Sequence, residues 1–166
     1  ALAKGGARNN IFEVEGPIGV SGNNDLTKFL CKSASIPPST VGEITIPWRG
    51  RTFKIPGDRT FEDWDITIIS DAAFELRAQF EQWNNSFQQH FTNVSEVKDI
   101  TTPLFQNWNI YWMTREGERS TARKYTMIGA WPKVVSNIDL AFDTQDELAT
   151  FSVTMAYQWW ESPSTT

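Results

Sequence analysis

The sequence predicts a single, mainly β domain carrying one α-helix. Three observations lead there. Apolar residues alternate with a period of two over most of the chain, as half-buried strands require. Turns containing Gly, Asn or Pro separate these runs. A single stretch, opening at Asp71, changes to intervals of three and four, the spacing of an amphipathic helix. With 166 residues, 40% of them hydrophobic and 21% charged, the chain can bury one substantial core and is too short for two large domains.

Residues 1–10 contain Lys4, Gly5, Gly6 and Arg8 but no apolar signal segment, and read as a flexible arm on a mature cytosolic amino terminus. The domain proper is expected over 11–161. Ile11 to Glu15 and Phe29 to Ala34 alternate as strands, and the Gly/Asn-rich stretch between them suggests a first antiparallel pair. Pro37-Pro38 ends that unit. Ile44-Thr45-Ile46 and Thr52-Phe53-Lys54-Ile55 flank Trp48-Arg49-Gly50-Arg51, which predicts a hairpin over 44–55. Pro47 lacks a ladder donor, so this hairpin is expected to project from the main sheet.

Trp64, Ile66 and Ile68 give the next strand one apolar face. A helix over 71–86 follows, with Ala73, Leu76, Phe80, Trp83 and Phe87 on one side and Ser70 or Asp71 as its cap. Residues 88–106 read as a long polar surface loop. Asn109 to Arg115 and Lys124 to Trp131 are strands around a charged turn, and Thr144 to Glu147 is a further turn. Leu148 to Trp159 is expected to be the longest strand. It has Phe151, Val153, Met155 and Tyr157 on one face and Thr150, Ser152, Thr154 and Gln158 on the other, which separates a core from water. Residues 162–166 are a polar tail.

The chemistry-bearing residues are sparse. Cys31 is the one cysteine and cannot form an intrachain disulfide, which suits a reducing compartment. With one histidine, His90, the chain has no set of soft metal ligands and no Cys/His relay. Glu62, Asp63 and Asp65 alternate around Trp64 as an outward strand face does, not as an acid–base pair. No phosphate-cradling loop, serine elbow or zinc-binding helix motif occurs. The expectation is a protein with no catalytic residue, cofactor or metal, and therefore not an enzyme. The net charge of -5 argues against a surface that grips a phosphate backbone, and no stretch is apolar enough to span a bilayer. Among eight tryptophans, Trp64 and Trp83 fall on apolar faces, whereas Trp48, Trp159 and Trp160 are interface candidates. Exposed rings on a β domain suit protein association or carbohydrate stacking.

Gly57-Asp58-Arg59-Thr60-Phe61-Glu62-Asp63-Trp64, followed by an alternating strand and a helix, resembles the tail tube proteins of contractile-tailed bacteriophages. The resemblance extends upstream through Phe29 to Pro37 and downstream through Gly129-Ala130-Trp131-Pro132 to Phe151 to Glu161. It implies an antiparallel β-sandwich or barrel with one flanking helix, assembling into hexameric rings that stack into the hollow inner tube of a contractile tail. It implies further copies of the chain, the tail sheath, the baseplate and the tail terminator as partners. The place is the virion tail, assembled in the host cytoplasm, with DNA passing through the lumen without specific binding and no membrane anchor. The inner tube of a bacterial contractile injection or secretion system is the alternative, and a Trp-rich carbohydrate-binding β-sandwich a more distant one.

On that resemblance, Trp48, Arg49 and Arg51 of the hairpin, with Lys4 and Arg8 of the arm, are expected to make ring-to-ring contacts. Gly57, Asp58, Arg59, Thr60, Phe61 and Trp64 carry the family motif and are assigned to the subunit interface. Thr150, Ser152, Thr154 and Gln158 are assigned to the lumen. Six copies at -5 each give a ring -30, a charge that repels DNA.

Overall fold

A computed structural model describes residues 10–18, 31–93, 95, 104–114, 118–138 and 148–165. In chain order the elements are β1 Phe12–Glu15, β2 Cys31–Ala34, β3 Ser39–Trp48, β4 Arg51–Phe61, β5 Trp64–Ile69, α1 Glu75–Phe87, β6 Gln106–Met113, β7 Arg119–Val135, β8 Thr150–Ala156 and β9 Trp159–Glu161. The arm over 1–9, residues 94 and 96–103 of the 88–106 loop and the turn at 144–147 lie outside the described residues.

The body is one antiparallel sheet in the order β1-β6-β7-β8-β5-β2, with β9 also on β7. β7 belongs to both halves: Tyr125, Thr126 and Met127 pair with β6, and Trp131 to Val135 pair with β8. The kink between the halves falls at Gly129, whose φ is +64, a left-handed conformation that glycine adopts without a steric penalty. A Cβ there would also lie 3.1 Å from Gln158 Cγ.

Two expectations are corrected here. β1 and β2 do not form a first pair: β1 pairs with β6 and β2 with β5, at opposite ends of the strand path. Because these two end strands are not hydrogen-bonded to each other, the sheet folds over without closing into a barrel. The carboxyl-terminal strand is also shorter than expected. β8 stops at Ala156, the chain bends through Tyr157 and Gln158, and β9 pairs with Thr126, Met127 and Ile128. The longest strand is β7, with 17 residues.

The helix seals the folded sheet. Leu76, Phe80 and Trp83 are buried, and the Phe80 ring lies 6.0 Å from Trp108 and 6.3 Å from Phe151. Trp83 stacks on Trp108, which meets Trp64 edge-on. These large rings fill the space between the halves and dominate the buried apolar area. Trp64 and Trp83 each use the indole N–H to reach a backbone carbonyl, Ser35 O at 2.7 Å and Leu104 O at 2.8 Å. Gly16 lies where a Cβ would come 2.2 Å from the Trp108 ring.

The helix starts four residues later than the sequence predicts. Residues 71–74 form a turn closed by Phe74 N–H donating to Asp71 O at 3.1 Å. Asp71 still serves the helix end, because its Oδ2 accepts from Glu75 N–H at 3.3 Å. The helix N-cap position is taken by Phe74 in the left-handed region, φ 56. The polar tail is also folded: Ser162 is buried and hydrogen-bonds with Thr165 in a closing turn.

Candidate functional site

β3 and β4 form a two-stranded sheet of their own, and all their residues are exposed except the half-buried Gly57 and Phe61. The turn is Arg49-Gly50, with φ 44 and 80, the two positive values that a two-residue type I′ turn demands. From that turn the register runs Trp48↔Arg51, Pro47↔Thr52, Ile46↔Phe53, Thr45↔Lys54, Ile44↔Ile55 and Glu43↔Pro56. Alternation therefore places Ile44, Ile46, Trp48, Phe53 and Ile55 on one face with Arg51. Glu43, Thr45, Thr52 and Lys54 are on the other, where Lys54 Nζ pairs with Glu43 at 3.0 Å.

The apolar face is uncovered within the subunit: Trp48 is 65% exposed, Phe53 68% and Ile44 54%. Ile46, Trp48 and Phe53 surround a shallow hollow of about 310 Å³. Both prolines occupy positions whose N–H would point away from the partner strand, counting outward from the hydrogen-bonded pair at the turn. They remove an outward donor from each edge, which discourages edge-to-edge pairing. Trp48, Arg49 and Arg51 were legible in the sequence, and Arg49 lies over the Trp48 ring at 5.7 Å. Phe53, Ile44, Ile46 and Ile55 were not singled out, although their period-two spacing on either side of the turn was the available signal.

The motif residues divide by role. Gly57 and Asp58 stand opposite Gly42 alone, in a bulge between Val41↔Arg59 and Glu43↔Pro56. A Cβ on Gly57 would approach Ile44 Cγ1 at 3.3 Å, so this glycine serves a close approach of the two strands. Asp58, Arg59 and Thr60 are exposed, and Phe61 anchors the hairpin base by meeting the Tyr157 ring edge-on at 6.0 Å. Trp64 is fully buried. It belongs to its own subunit's core and has no surface to offer a neighbour, which corrects its assignment to the interface.

Thr150, Ser152 and Thr154 share one face of β8, opposite the buried Phe151, Val153 and Met155. Their partners on β5 are Ile69, Thr67 and Asp65, and Thr154 Oγ1 donates to Asp65 Oδ1 at 2.6 Å. No Lys or Arg stands on either strand. Gln158 is exposed but lies past the strand end, in the bend, and is not on that ladder. Lys4 and Arg8 fall outside the described residues.

The acidic residues are used structurally. Asp63 pairs with Lys133 at 2.7 Å, and Glu13 and Glu15 hold Arg119, whose guanidinium also covers the Tyr111 ring at 4.5 Å. Among the described residues no group of three or more His, Cys, Asp or Glu converges to hold a metal, and no helix is long and apolar enough to cross a membrane. Burial pushes the Cys31 thiol up to about 12, so it is a protonated, half-buried small hydrophobe. His90 is exposed. Of the tryptophans at issue, Trp48 and Trp159 are exposed on separate elements, whereas Trp160 packs on Tyr125 and the core. They make no continuous platform for a sugar chain.

The chain is 29% identical over 155 residues to the tail tube protein gp19 of Enterobacteria phage T4, a match covering 93% of this chain and 91% of that protein. Its fold is similar to a chain in the six-fold symmetrised cryo-EM structure of the anti-feeding prophage baseplate, with TM-score 0.70, 13% identity and 94% of each chain covered. It is also similar to a chain in the sheath/tube terminator of the extracellular contractile injection system PVC in its extended state. There the TM-score is 0.68 and the identity 18%, covering 94% of this chain and 95% of that one. The family model for phage tail tube proteins matches residues 7–162, and the chain belongs to that family.

Proposed function

We propose that six copies of the chain close into a ring, that the rings stack head to tail, and that the resulting hollow tube conducts DNA. The observation that carries this reading is the hairpin. A monomer with no partner has no use for an apolar stripe of Ile44, Ile46, Trp48, Phe53 and Ile55 held clear of its own core, and large exposed apolar patches mark association surfaces. Among the described residues β1 and β2 stand at the two ends of the strand path; end strands offer edges for lateral pairing, and ring closure removes such edges.

In this reading Trp48, Arg49 and Arg51 contact the adjacent ring together with the arm at Lys4 and Arg8, and Asp58, Arg59 and Thr60 lie against neighbouring subunits. Thr150, Ser152 and Thr154 face the lumen. The β5–β8 ladder, with hydroxyls at Thr67, Thr150, Ser152 and Thr154 and a carboxylate at Asp65, carries no Lys or Arg of its own, and sequence-independent retention of DNA comes from Lys and Arg neutralising phosphates. The chain acts as a structural subunit and not as an enzyme, with sheath, baseplate and terminator proteins as its other partners.

Negative-stain microscopy of the purified chain across a concentration series tests this. Six-fold rings and hollow tubes are the expected result, and a variant with residues 45–54 replaced by a short Gly/Ser link is expected to stop at single rings or ring fragments. Tubes of unchanged length from that variant would remove the hairpin from the assembly. Monomers at every concentration, with or without an added baseplate nucleus, would overturn the proposal.

A further inference from the structure

Head-to-tail stacking needs two different patches on each copy, one at each end, since a heterologous contact joins unlike surfaces. The hairpin supplies one. Its base sits at the Trp64 end of β5, because β4 ends at Phe61 and Trp64 opens the next strand. The receiving patch must therefore lie at the other pole. The register Trp64↔Met155 and Ile69↔Thr150 locates that pole at the end of β5 and the start of β8, where Ser70 N–H donates to Ala149 O at 2.8 Å.

Two apolar side chains stand exposed there, Phe74 at 43% and Leu148 at 73%. Phe74 has a second peculiarity, its left-handed backbone at φ 56. An aromatic residue is strained in that conformation, and glycine or asparagine would serve the turn better. The strain has no return within the subunit, since the ring it holds is not packed in the core. Strained backbone of this kind concentrates at functional contacts.

Charge points the same way. The hairpin tip carries Arg49 and Arg51, while the opposite pole exposes Glu75; the Asp71 carboxylate is turned inward, its Oδ2 accepting from Glu75 N–H. None of Arg49, Arg51, Asp71 or Glu75 forms an ion pair with a described residue. A basic, aromatic tip and an acidic, apolar pole on the same chain are complementary in both respects.

We infer that the hairpin of one copy docks on the pole formed by Phe74, Glu75 and Leu148 of a second copy in the adjacent ring. The inference rests on the stacking reading and names the surface that reading leaves unassigned. The occupant is a second copy of this chain, because the fold carries both halves of the contact. Prolines on both hairpin edges favour docking by face over strand addition.

Four full-chain variants test it: Phe74→Gly, Glu75→Arg, Arg51→Glu, and the double variant Arg51→Glu with Glu75→Arg. Light scattering gives the critical concentration for tube growth, and thermal melting gives subunit stability. Phe74→Gly is expected to raise the melting temperature, because it relieves the positive φ, yet to raise the critical concentration about tenfold, because an anchor ring is lost. A purely structural residue would not move the two quantities in opposite senses for assembly. Each charge reversal is expected to weaken growth about three- to tenfold, and the double variant to recover most of it. If Phe74→Gly and Glu75→Arg form tubes at the wild-type concentration while loss of the hairpin tip still abolishes them, the pole is not the receptor and the stacking reading stands. If loss of the tip also leaves the tubes unchanged, both fall.

Discussion

At the scale of single residues, size decides the core and proton chemistry decides the alkaline limit. Gly16→Ala is expected to destabilise the subunit by about 1–3 kcal/mol, because the added methyl would meet the fully buried Trp108 ring, an overpacking that must displace backbone or ring; urea denaturation of the unassembled chain measures it. Cys31 and Tyr157 titrate higher in the fold than in the open chain, Cys31 from 9.0 and Tyr157 from 10.0, each to about 12. Burial is the main cause in both, with the Asp63 and Glu62 charges adding to Tyr157. A raised acid keeps its proton longer in the folded state, so its contribution is complete below the unfolded value and declines as pH rises toward the folded one. Stability should therefore hold at neutral pH and fall through the window from 9.0 to about 12. Urea midpoints on either side of that window, with Cys31→Ala and Tyr157→Phe flattening the decline, are the check. The Tyr157 hydroxyl is buried without a hydrogen-bond partner among the described residues, so Tyr157→Phe should cost nothing at neutral pH.

At the scale of elements, Gly129 is the position in β7 where the backbone leaves the ordinary strand conformation. Gly129→Ala is expected to cost about 1–2 kcal/mol, since the left-handed position disfavours any Cβ, and Gln158 must also give way; the melting temperature reads this directly. The elements also mark what the sequence made legible. Period-two runs located β5 and the paired β6 and β7, and the triad Leu76, Phe80 and Trp83 located the helix, because burial of an alternating or helical face is a local pattern. The β1–β2 pairing was misread because strand partnership depends on residues about a hundred positions away, as Phe12↔Trp112 illustrates. The break between β8 and β9 was invisible for a related reason: Tyr157-Gln158 continues the alternation, and only the competing pairing of Trp159 with Ile128 turns the chain. The helix start was displaced by Phe74, whose left-handed backbone no propensity would assign to it.

At the scale of the whole molecule, the proposed assembly surfaces were half legible. Tryptophan and arginine at the hairpin tip drew notice from the sequence, as did the hydroxyl ladder of β8. The apolar stripe behind the tip emerged only with the register, and the pole at Phe74 and Leu148 only with the β5–β8 pairing. The proposal that Thr150, Ser152 and Thr154 face a lumen makes a further outcome measurable. Ser152→Lys would place a cation at each copy's wall without touching the core, and tubes of this variant are expected to retain short DNA at low salt and release it as salt rises. Filter binding detects the difference, and DNA retention equal to wild type would take Ser152 off the lumen wall.

The separation of the two patches along the chain also has a consequence in time. The hairpin is a local structure, Ser39 opposite Phe61 at its base, and hairpins close within microseconds. The proposed opposite pole exists only after β8 has met β5, strands far apart along the chain. A growing chain would thus carry the projecting contact before the surface that accepts it. On the proposed stacking, the order in which the residues are made sets the order in which the two patches form.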